Sequence, residues 1–302
     1  LAEEQNVCVV ASGDPLFYGV GGLLANKIEQ QYLQYLPAPT SVQQAFAKIG
    51  LSWNQATTIS LHGRPMKGLV NKLQRESLVA CLTDPTNNPQ AIGAYLKTFG
   101  ETDWSAYVCE DLGRDNELIR TFTIDSLATQ ENFSELNVLI LVRSGLQTLA
   151  PNFPHLREDE FDKKNPQNGL ITKREVRAQA LAMLQLAEDD CVWDVGTGSG
   201  SVAIHAAKMA RQGTVYAIEK DDECLQYAKQ NIIRHKTDNV ELIAGQAPAA
   251  LQGLPRPNAI FIGGTGGSML ETFKLCWENL RPHGRMVITA VTMETISHTF
   301  EL

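Results

Sequence analysis

The sequence predicts an α/β protein of two parts: an incomplete mixed α/β domain, then a Rossmann-like domain built around a nucleotide site. Three observations predict it. First, residues 191–201 read CVWDVGTGSGS, an apolar run ending in Asp194, a turn with Gly196, Gly198 and Gly200, and the start of a helix. Strand, glycine turn and helix is how an open α/β sheet forms a nucleotide site at the end of its first strand. Second, the β/α alternation after that turn is regular, with strands over Thr214–Glu219, 240–243, Ala259–Ile262 and 286–290. Third, periodicity vanishes from Arg143 to Asn168, where Pro151, Pro154 and Pro166 fall among charged runs. So long a connection is unusual inside one domain. The expected division is 1–143, a surface linker over 144–168, and 169–302.

From the start of the chain, residues 6–11 read as a buried strand and Ser12-Gly13-Asp14-Pro15 as a turn. Residues 16–30 have helical spacing despite Gly19, Gly21 and Gly22. Residues 32–36 suggest a short strand, and Pro37–Ser41 leads into a helix over Ser41–Ile49. Strands follow over 57–61 and Leu78–Leu82, each ending in a turn: His62-Gly63-Arg64-Pro65 and Thr83-Asp84-Pro85. A helix over 91–99 and strands over 107–110, 119–124 and 138–142 complete this part. In the second part, Thr172 and Glu175 have capping-box spacing, with Val176, Ala180, Met183, Leu184 and Ala187 on one apolar face. Helices are predicted over 202–211, 222–235, 247–251 and 267–280, and Pro282-His283-Gly284 is a turn. The chain starts almost on a strand and stops soon after its fifth late strand. A fragment cut inside a domain at both ends is therefore expected.

The composition is that of a globular protein: 43% hydrophobic, 20% charged, net charge -8. Net acidity argues against general nucleic-acid binding. Cysteines 8, 81, 109, 191, 224 and 276 include no Cys-x-x-Cys pair, and four lie in apolar runs. They read as small buried thiols of a reducing compartment. His205, His235, His283 and His298 have no metal-ligand spacing, so no metal is expected. No apolar run is long enough to span a membrane, and no signal peptide is visible. A cytoplasmic homo-oligomer with no membrane and no nucleic-acid partner is the expectation.

The glycine spacing selects the ligand. Dinucleotide sites use Gly-x-Gly-x-x-Gly, and here Ser201 stands where their third glycine falls. The next strand ends in Glu219, whose carboxylate can accept hydrogen bonds from both hydroxyls of a ribose. Asp-x-Gly-x-Gly-x-Gly with an acid closing the next strand points to S-adenosylmethionine (SAM). Three rivals stay open: a SAM methyltransferase acting on RNA or another small molecule, a dinucleotide oxidoreductase, and a non-catalytic binding or scaffold fragment.

Ordered words along the chain carry a family resemblance. Ile171-Thr-Lys-Arg-Glu-Val-Arg, Trp193-Asp-Val-Gly-Thr-Gly-Ser-Gly-Ser, Val215-Tyr-Ala-Ile-Glu, Gly245-Gln-Ala-Pro, Phe261-Ile-Gly-Gly-Thr-Gly-Gly and Ile288-Thr-Ala-Val-Thr-Met-Glu form one set. They resemble the C15-methylating, decarboxylating half of the precorrin C5,15-methyltransferases. Ala11-Ser-Gly-Asp-Pro-Leu-Phe-Tyr-Gly, Ser60-Leu-His-Gly-Arg-Pro and Leu82-Thr-Asp resemble their other half, a tetrapyrrole methylase. The resemblance implies a partial tetrapyrrole-methylase domain followed by a Rossmann-like class I SAM-dependent methyltransferase domain. The activity it implies is methylation of precorrin-6Y at C5 and C15 with decarboxylation of the ring C acetate, a step of cobalamin biosynthesis. Tetrapyrrole methylases open on a strand and a Gly-x-Gly-Pro-Gly loop. This chain has neither, and its second domain lacks the last two strands of the fold.

The resemblance also assigns residues. In the second domain SAM contacts fall on Thr172, the loop Gly196, Thr197, Gly198, Ser199 and Gly200, Glu219 and Ala247, with Asp194 organising the turn. In the first they fall on Ser12, Gly13, Asp14, Phe17, Thr40 and Ser41, while Leu82 reads as core. Gly263-Gly-Thr-Gly-Gly267, at the end of a strand, reads as a backbone-lined floor near the transferred methyl. The tetrapyrrole substrate bears many carboxylates. His62, Arg64, Lys173, Arg174 and Arg177 are therefore candidate cations for it. No residue is singled out as a catalytic acid or base.

Overall fold

The computed structural model describes residues 7–145, 156–163, 171–290 and 296–297. They fall into two compact units. One comprises Leu1–Arg64, Ser77–Lys97 and Thr102–Gly145, the other Pro65–Glu76, Thr98–Glu101 and Leu146–Leu302.

In the first unit the described chain begins as irregular backbone and reaches α1 (Val20–Ala25) and α2 (Ser41–Ile49); α3 (Leu69–Leu73) is the short helix of the second unit, and α4 (Pro89–Thr98) and α5 (Ile124–Leu127) follow. Thr40 starts α2 with a reciprocal capping box. Its Oγ1 accepts the Gln43 amide at 3.1 Å, and its own amide donates to Gln43 Oε1 at 2.8 Å. Such a cap contributes about 1 kcal/mol. Strands β1 (Thr57–Ser60), β2 (Leu78–Leu82), β3 (Trp104–Glu110), β4 (Leu118–Thr123) and β5 (Asn137–Arg143) form one sheet in the order β1-β2-β5-β3-β4. Only β1 and β2 run parallel; the other pairs are antiparallel. Val42, Ala45 and Phe46 of α2 pack on Ala80, Cys109, Val138 and Ile140 of the sheet.

Three early expectations fail here. Residues 7–11 form no strand, and Val7, Val9 and Val10 are exposed. An apolar run becomes a buried strand only with a neighbour to pair with, and no described strand pairs with this one. The helix expected over 16–30 shrinks to α1, because Gly19, Gly21 and Gly22 weaken helical backbone. Tyr32 closes a 3-10 turn over Gln30–Tyr32, and residues 33–36 join no ladder.

The second unit holds an all-parallel sheet: β6 (Cys191–Val195), β7 (Thr214–Glu219), β8 (Val240–Ala244), β9 (Ala259–Ile262) and β10 (Arg285–Ile288), in the order β10-β9-β6-β7-β8. The chain runs outward from β6 to β8, then returns to β9 on the other side of β6. The carboxyl ends of β6 and β9 therefore form a topological switch point, where open α/β sheets bind ligands. Both faces of the sheet are covered, so its strands are nearly continuous apolar runs. Val192, Ala259 and Phe261 point into one core cluster; Trp193, Val195, Ile260 and Ile262 point into the other.

Helices α6 (Arg174–Leu184), α7 (Ser201–Met209), α8 (Asp222–Arg234) and α9 (Met269–Asn279) belong to this unit. So do a short helix over Leu69–Leu73 and a 3-10 turn at Ala249–Leu251, where a helix over 247–251 was expected. Asp238 caps that short helix. Its carboxylate accepts the amides of Val70 and Asn71 at 3.0 and 2.8 Å, while Asn71 Nδ2 donates to Asn239 Oδ1 and the Ala207 carbonyl.

Two expectations about α6 are corrected. Thr172 and Glu175 form no capping box: the N-cap is Lys173, without a side-chain bond, and Glu158 accepts the Arg174 amide instead. The buried face is Arg177, Ala180, Leu181 and Leu184, while Val176 and Met183 are exposed. Where a surface linker was expected, Leu156 and Phe161 are buried in the core. The six cysteines are free thiols, and only Cys8 is exposed. Burial pushes Cys81 and Cys276 up to about 12, so these thiols stay protonated. Among the described residues no helix is long and apolar enough to cross a membrane.

Candidate functional site

The switch point of the second unit gathers most of the predicted residues. β6 ends on the Gly196 turn, whose three glycines all have positive φ, at 73, 57 and 82°. At Gly196 a side chain is excluded by contact as well: a Cβ would lie 2.4 Å from the Gly264 carbonyl oxygen. The turn therefore packs directly against the Gly263–Gly267 loop that follows β9, and Gly263 N donates to the Val195 carbonyl at 2.9 Å.

Three side chains fasten the turn. Asp194, fully buried, accepts the Thr197 hydroxyl at 2.6 Å. Glu219 Oε2 accepts the Gly198 amide at 2.9 Å, and its Oε1 accepts the amides of Lys220 and Asp221. Asn231 donates to the Ser199 carbonyl at 2.9 Å. In the turn, Ser199 Oγ is buried without a hydrogen-bond partner. Burial pushes the Asp194 carboxyl up to about 7, against the lowering pull of the Thr197 hydroxyl and the Ala203 amide. Ala247 is buried, and its carbonyl accepts Ser268 Oγ at 2.9 Å, which ties it to the far end of the 263–267 loop.

The cation cluster beside α6 divides. Lys173 and Arg174 are exposed, but Arg177 is fully buried. Its guanidinium donates to the carbonyls of Thr172 and Leu156 and lies over the Phe161 ring at 5.2 Å. Arg177 is thus a structural cross-link and not a cation for substrate. This also shows how Thr172 is held, through its carbonyl. A cation that the sequence reading missed is Lys220, whose Nζ lies 2.5 Å from where a Gly266 Cβ would be. Its only sequence signal is its place next to Glu219.

In the first unit, Ser12, Gly13, Asp14, Phe17, Thr40 and Ser41 all line one cavity of about 920 Å³. Leu82 lines it too, with His62 and Arg64 on its wall. Thr40 serves two ends there, as helix cap and as lining. The wall is held by Asp84, which accepts the Gly63 amide at 2.7 Å and those of Thr86 and Asn87 at 2.8 and 2.6 Å. The Asn87 and Gly63 amides keep the Asp84 carboxyl below the usual carboxylate range. His62 Nδ1 sits 3.0 Å from the Thr83 carbonyl, and Asn87 Nδ2 donates to the carbonyls of Leu61 and Arg64. These bonds fix the backbone and leave the Arg64 guanidinium to reach over the Tyr18 ring at 5.8 Å.

Comparison with known proteins covers both units. Residues 1–128 match the family model of tetrapyrrole (corrin/porphyrin) methylases, and 164–302 match that of the precorrin methyltransferase domain. The chain is 34% identical over 291 residues to a precorrin-6Y C(5,15)-methyltransferase [decarboxylating] of Sinorhizobium sp, covering 95% of this chain and 69% of that one. It is 36% identical over 139 residues to a probable cobalt-precorrin-6B C(15)-methyltransferase (decarboxylating) of Methanothermobacter thermautotrophicus, covering 46% of this chain and 71% of that one. A solved precorrin-6y C5,15-methyltransferase of Geobacter metallireducens is 36% identical, with 50% of this chain and 79% of that one covered and a TM-score of 0.48.

Proposed function

The chain belongs to the decarboxylating precorrin-6Y C(5,15)-methyltransferases, and from that premise we propose that SAM is held in each unit, one unit serving C5 and the other C15. The family reaction is methylation of precorrin-6Y at both carbons with loss of one carboxylate as carbon dioxide, within cobalamin biosynthesis. On this reading the tetrapyrrole methylase part serves C5 and the precorrin methyltransferase part serves C15.

The observation that carries the reading is the glycine turn of the second unit. It is rigidly fastened, yet leaves Ser199 Oγ buried and unbonded. Unsatisfied buried polar atoms cost about 1–3 kcal/mol each, and a ligand rich in donors and acceptors removes that cost. Asp194, Gly196 to Gly200, Glu219 and Ala247 would hold SAM there, and on the family resemblance Thr172 as well. In the first unit the six residues of the cavity would do so. Bound SAM supplies an electrophilic sulfonium methyl. The chain's own task is to align it with a carbon of the macrocycle that is already nucleophilic, and alignment alone contributes roughly 7–11 kcal/mol. Arg64 and Lys220 stand where substrate carboxylates can be received.

The test is direct. Incubation with precorrin-6Y and SAM carrying a 13C methyl should place label at C5 and C15, located by NMR, with one equivalent of carbon dioxide released. Binding of S-adenosylhomocysteine without label at either carbon would overturn the substrate assignment. Binding of NAD in place of S-adenosylhomocysteine would overturn the cofactor.

A further inference from the structure

We propose that Asn231 is a positioning residue for the cofactor site, one that locks the Ser199–Gly200 peptide of the glycine turn and couples it to the segment around Asp162. The inference rests on the reading that this turn holds SAM.

The argument starts from an anomaly on α8. Its buried positions are Cys224, Ala228, Asn231 and Ile232, a helical stripe facing the core with an amide in it. A buried amide is costly unless its hydrogen bonds are made. Asn231 is fully buried and makes three. Nδ2 donates to the Ser199 carbonyl at 2.9 Å and to the Asp162 carbonyl at 2.8 Å, and Oδ1 accepts the Asp162 amide at 2.8 Å. An apolar residue of similar size would fill the space and leave those main-chain groups unpaired.

What the bond to Ser199 holds is a peptide that is otherwise easy to turn. Glycines stand on both sides of Ser199, at φ 57 and 82°. Glycine passes between backbone regions at little cost, so the Ser199–Gly200 peptide needs an external lock. It has one at each end. The Gly200 amide donates to the Thr197 carbonyl at 3.0 Å, and the Ser199 carbonyl accepts from Asn231. The direction of Ser199 Oγ, buried and unbonded, follows from that peptide plane.

The other side of the clamp is a segment with its own anchors. Phe161 is buried, its ring 4.8 Å from that of His235 and 6.0 Å from that of His205. His235 Nε2 lies 3.0 Å from the Glu160 carbonyl, and Arg234 pairs with Asp162 at 2.8 Å. Those contacts hold the segment to the end of α8. Asn231 bonds to both the segment and the turn, so it passes order from one to the other.

Calorimetry with S-adenosylhomocysteine on the full chain tests this with two variants. Asn231→Asp keeps the acceptor for the Asp162 amide and loses both donors; Asn231→Ala loses all three bonds. Each should weaken binding about tenfold or more. KM for SAM should rise by a similar factor, while kcat for C15 methylation at saturating SAM changes less than about twofold. Unchanged affinity in a folded variant, or a fall in kcat with KM unchanged, overturns the proposal. Should neither variant fold, the wild-type protein still decides. S-adenosylhomocysteine should slow amide hydrogen exchange in 156–163 together with 196–201, and protection confined to 196–201 overturns the coupling. A wild-type protein that binds no S-adenosylhomocysteine would refute the cofactor reading itself, a distinct result.

Discussion

The Glu219 carboxylate, at the end of β7, accepts the Gly198 amide at 2.9 Å in the turn that follows β6. The acid expected to hold a ribose thus also holds the turn beneath it. A carboxylate offers about four lone-pair positions, and three are taken, by Gly198, Lys220 and Asp221. One ribose hydroxyl can be received as the site stands, and a second must displace one of these three amides. Glu219→Ala should therefore weaken S-adenosylhomocysteine about 10- to 100-fold, through the ribose and the turn together. Glu219→Gln keeps an acceptor and should lose less. Titration calorimetry on both variants checks this; equal affinity for wild type and Glu219→Ala would mean that another group holds the ribose.

Asp194 makes the stability depend on pH in a stated direction. Burial raises its carboxyl from 3.8 to about 7. Between those values the folded protein keeps a proton that the unfolded chain has released. Stability from this group is therefore greatest below pH 4, falls as pH rises towards 7, and is level above that. Asp194→Asn removes the ionisation and can still accept from Thr197. The stability difference, variant minus wild type, should grow by up to about 4 kcal/mol between pH 4 and pH 8. Other carboxylates cancel in the difference. Urea midpoints at several pH values give the answer, and parallel profiles would count against a buried, strained Asp194.

The second unit was the more legible because its order is local. Strand, turn and helix succeed one another, and the predicted bounds of β7 and β9 match those observed. The Gly196 turn was legible because few residues other than glycine adopt positive φ three times in five positions. Pairing over long separations was not. Asp238 receives the amides of Val70 and Asn71, and nothing near either residue announces the other. Burial of polar groups was also hidden. Arg177 and Asn231 are polar by composition and buried by virtue of partners, so the sequence offered Arg177 as a substrate cation and passed over Asn231. The first-unit residues Ser12 to Phe17 were found by family words, since their local backbone is irregular and has no period to read.

Arg177 should matter to stability and not to substrate. Arg177→Met keeps the stem against Phe161 but strips the bonds to the Thr172 and Leu156 carbonyls. Leaving one buried and one part-buried carbonyl unpaired should cost about 2–4 kcal/mol. Denaturant unfolding should show the loss, while KM for precorrin-6Y in the folded fraction stays at the wild-type value. A raised KM with undiminished stability would restore Arg177 to the substrate cations.

Division of labour between the units gives the last prediction. Each unit gathers proposed SAM residues of its own: those lining the cavity at Asp14 in one and those of the turn at Gly198 in the other. Gly198 has φ 57°, a conformation that a β-branched residue adopts only under strain of about 1–3 kcal/mol. Gly198→Val also places methyl groups beside the amide that Glu219 receives. C15 methylation should be abolished and C5 methylation largely kept. Asp14 accepts the Leu16 amide at 2.8 Å and so shapes the turn lining the other cavity. Asp14→Ala should damage C5 methylation and spare C15. On this assignment the macrocycle should be released or swung between the two methyl donors. Mass spectrometry with isotope-labelled SAM counts the methyls and NMR locates them. Loss of both methyls in a folded Gly198→Val protein would mean a shared site or an obligatory order with C15 first, and the two-site assignment would have to be abandoned.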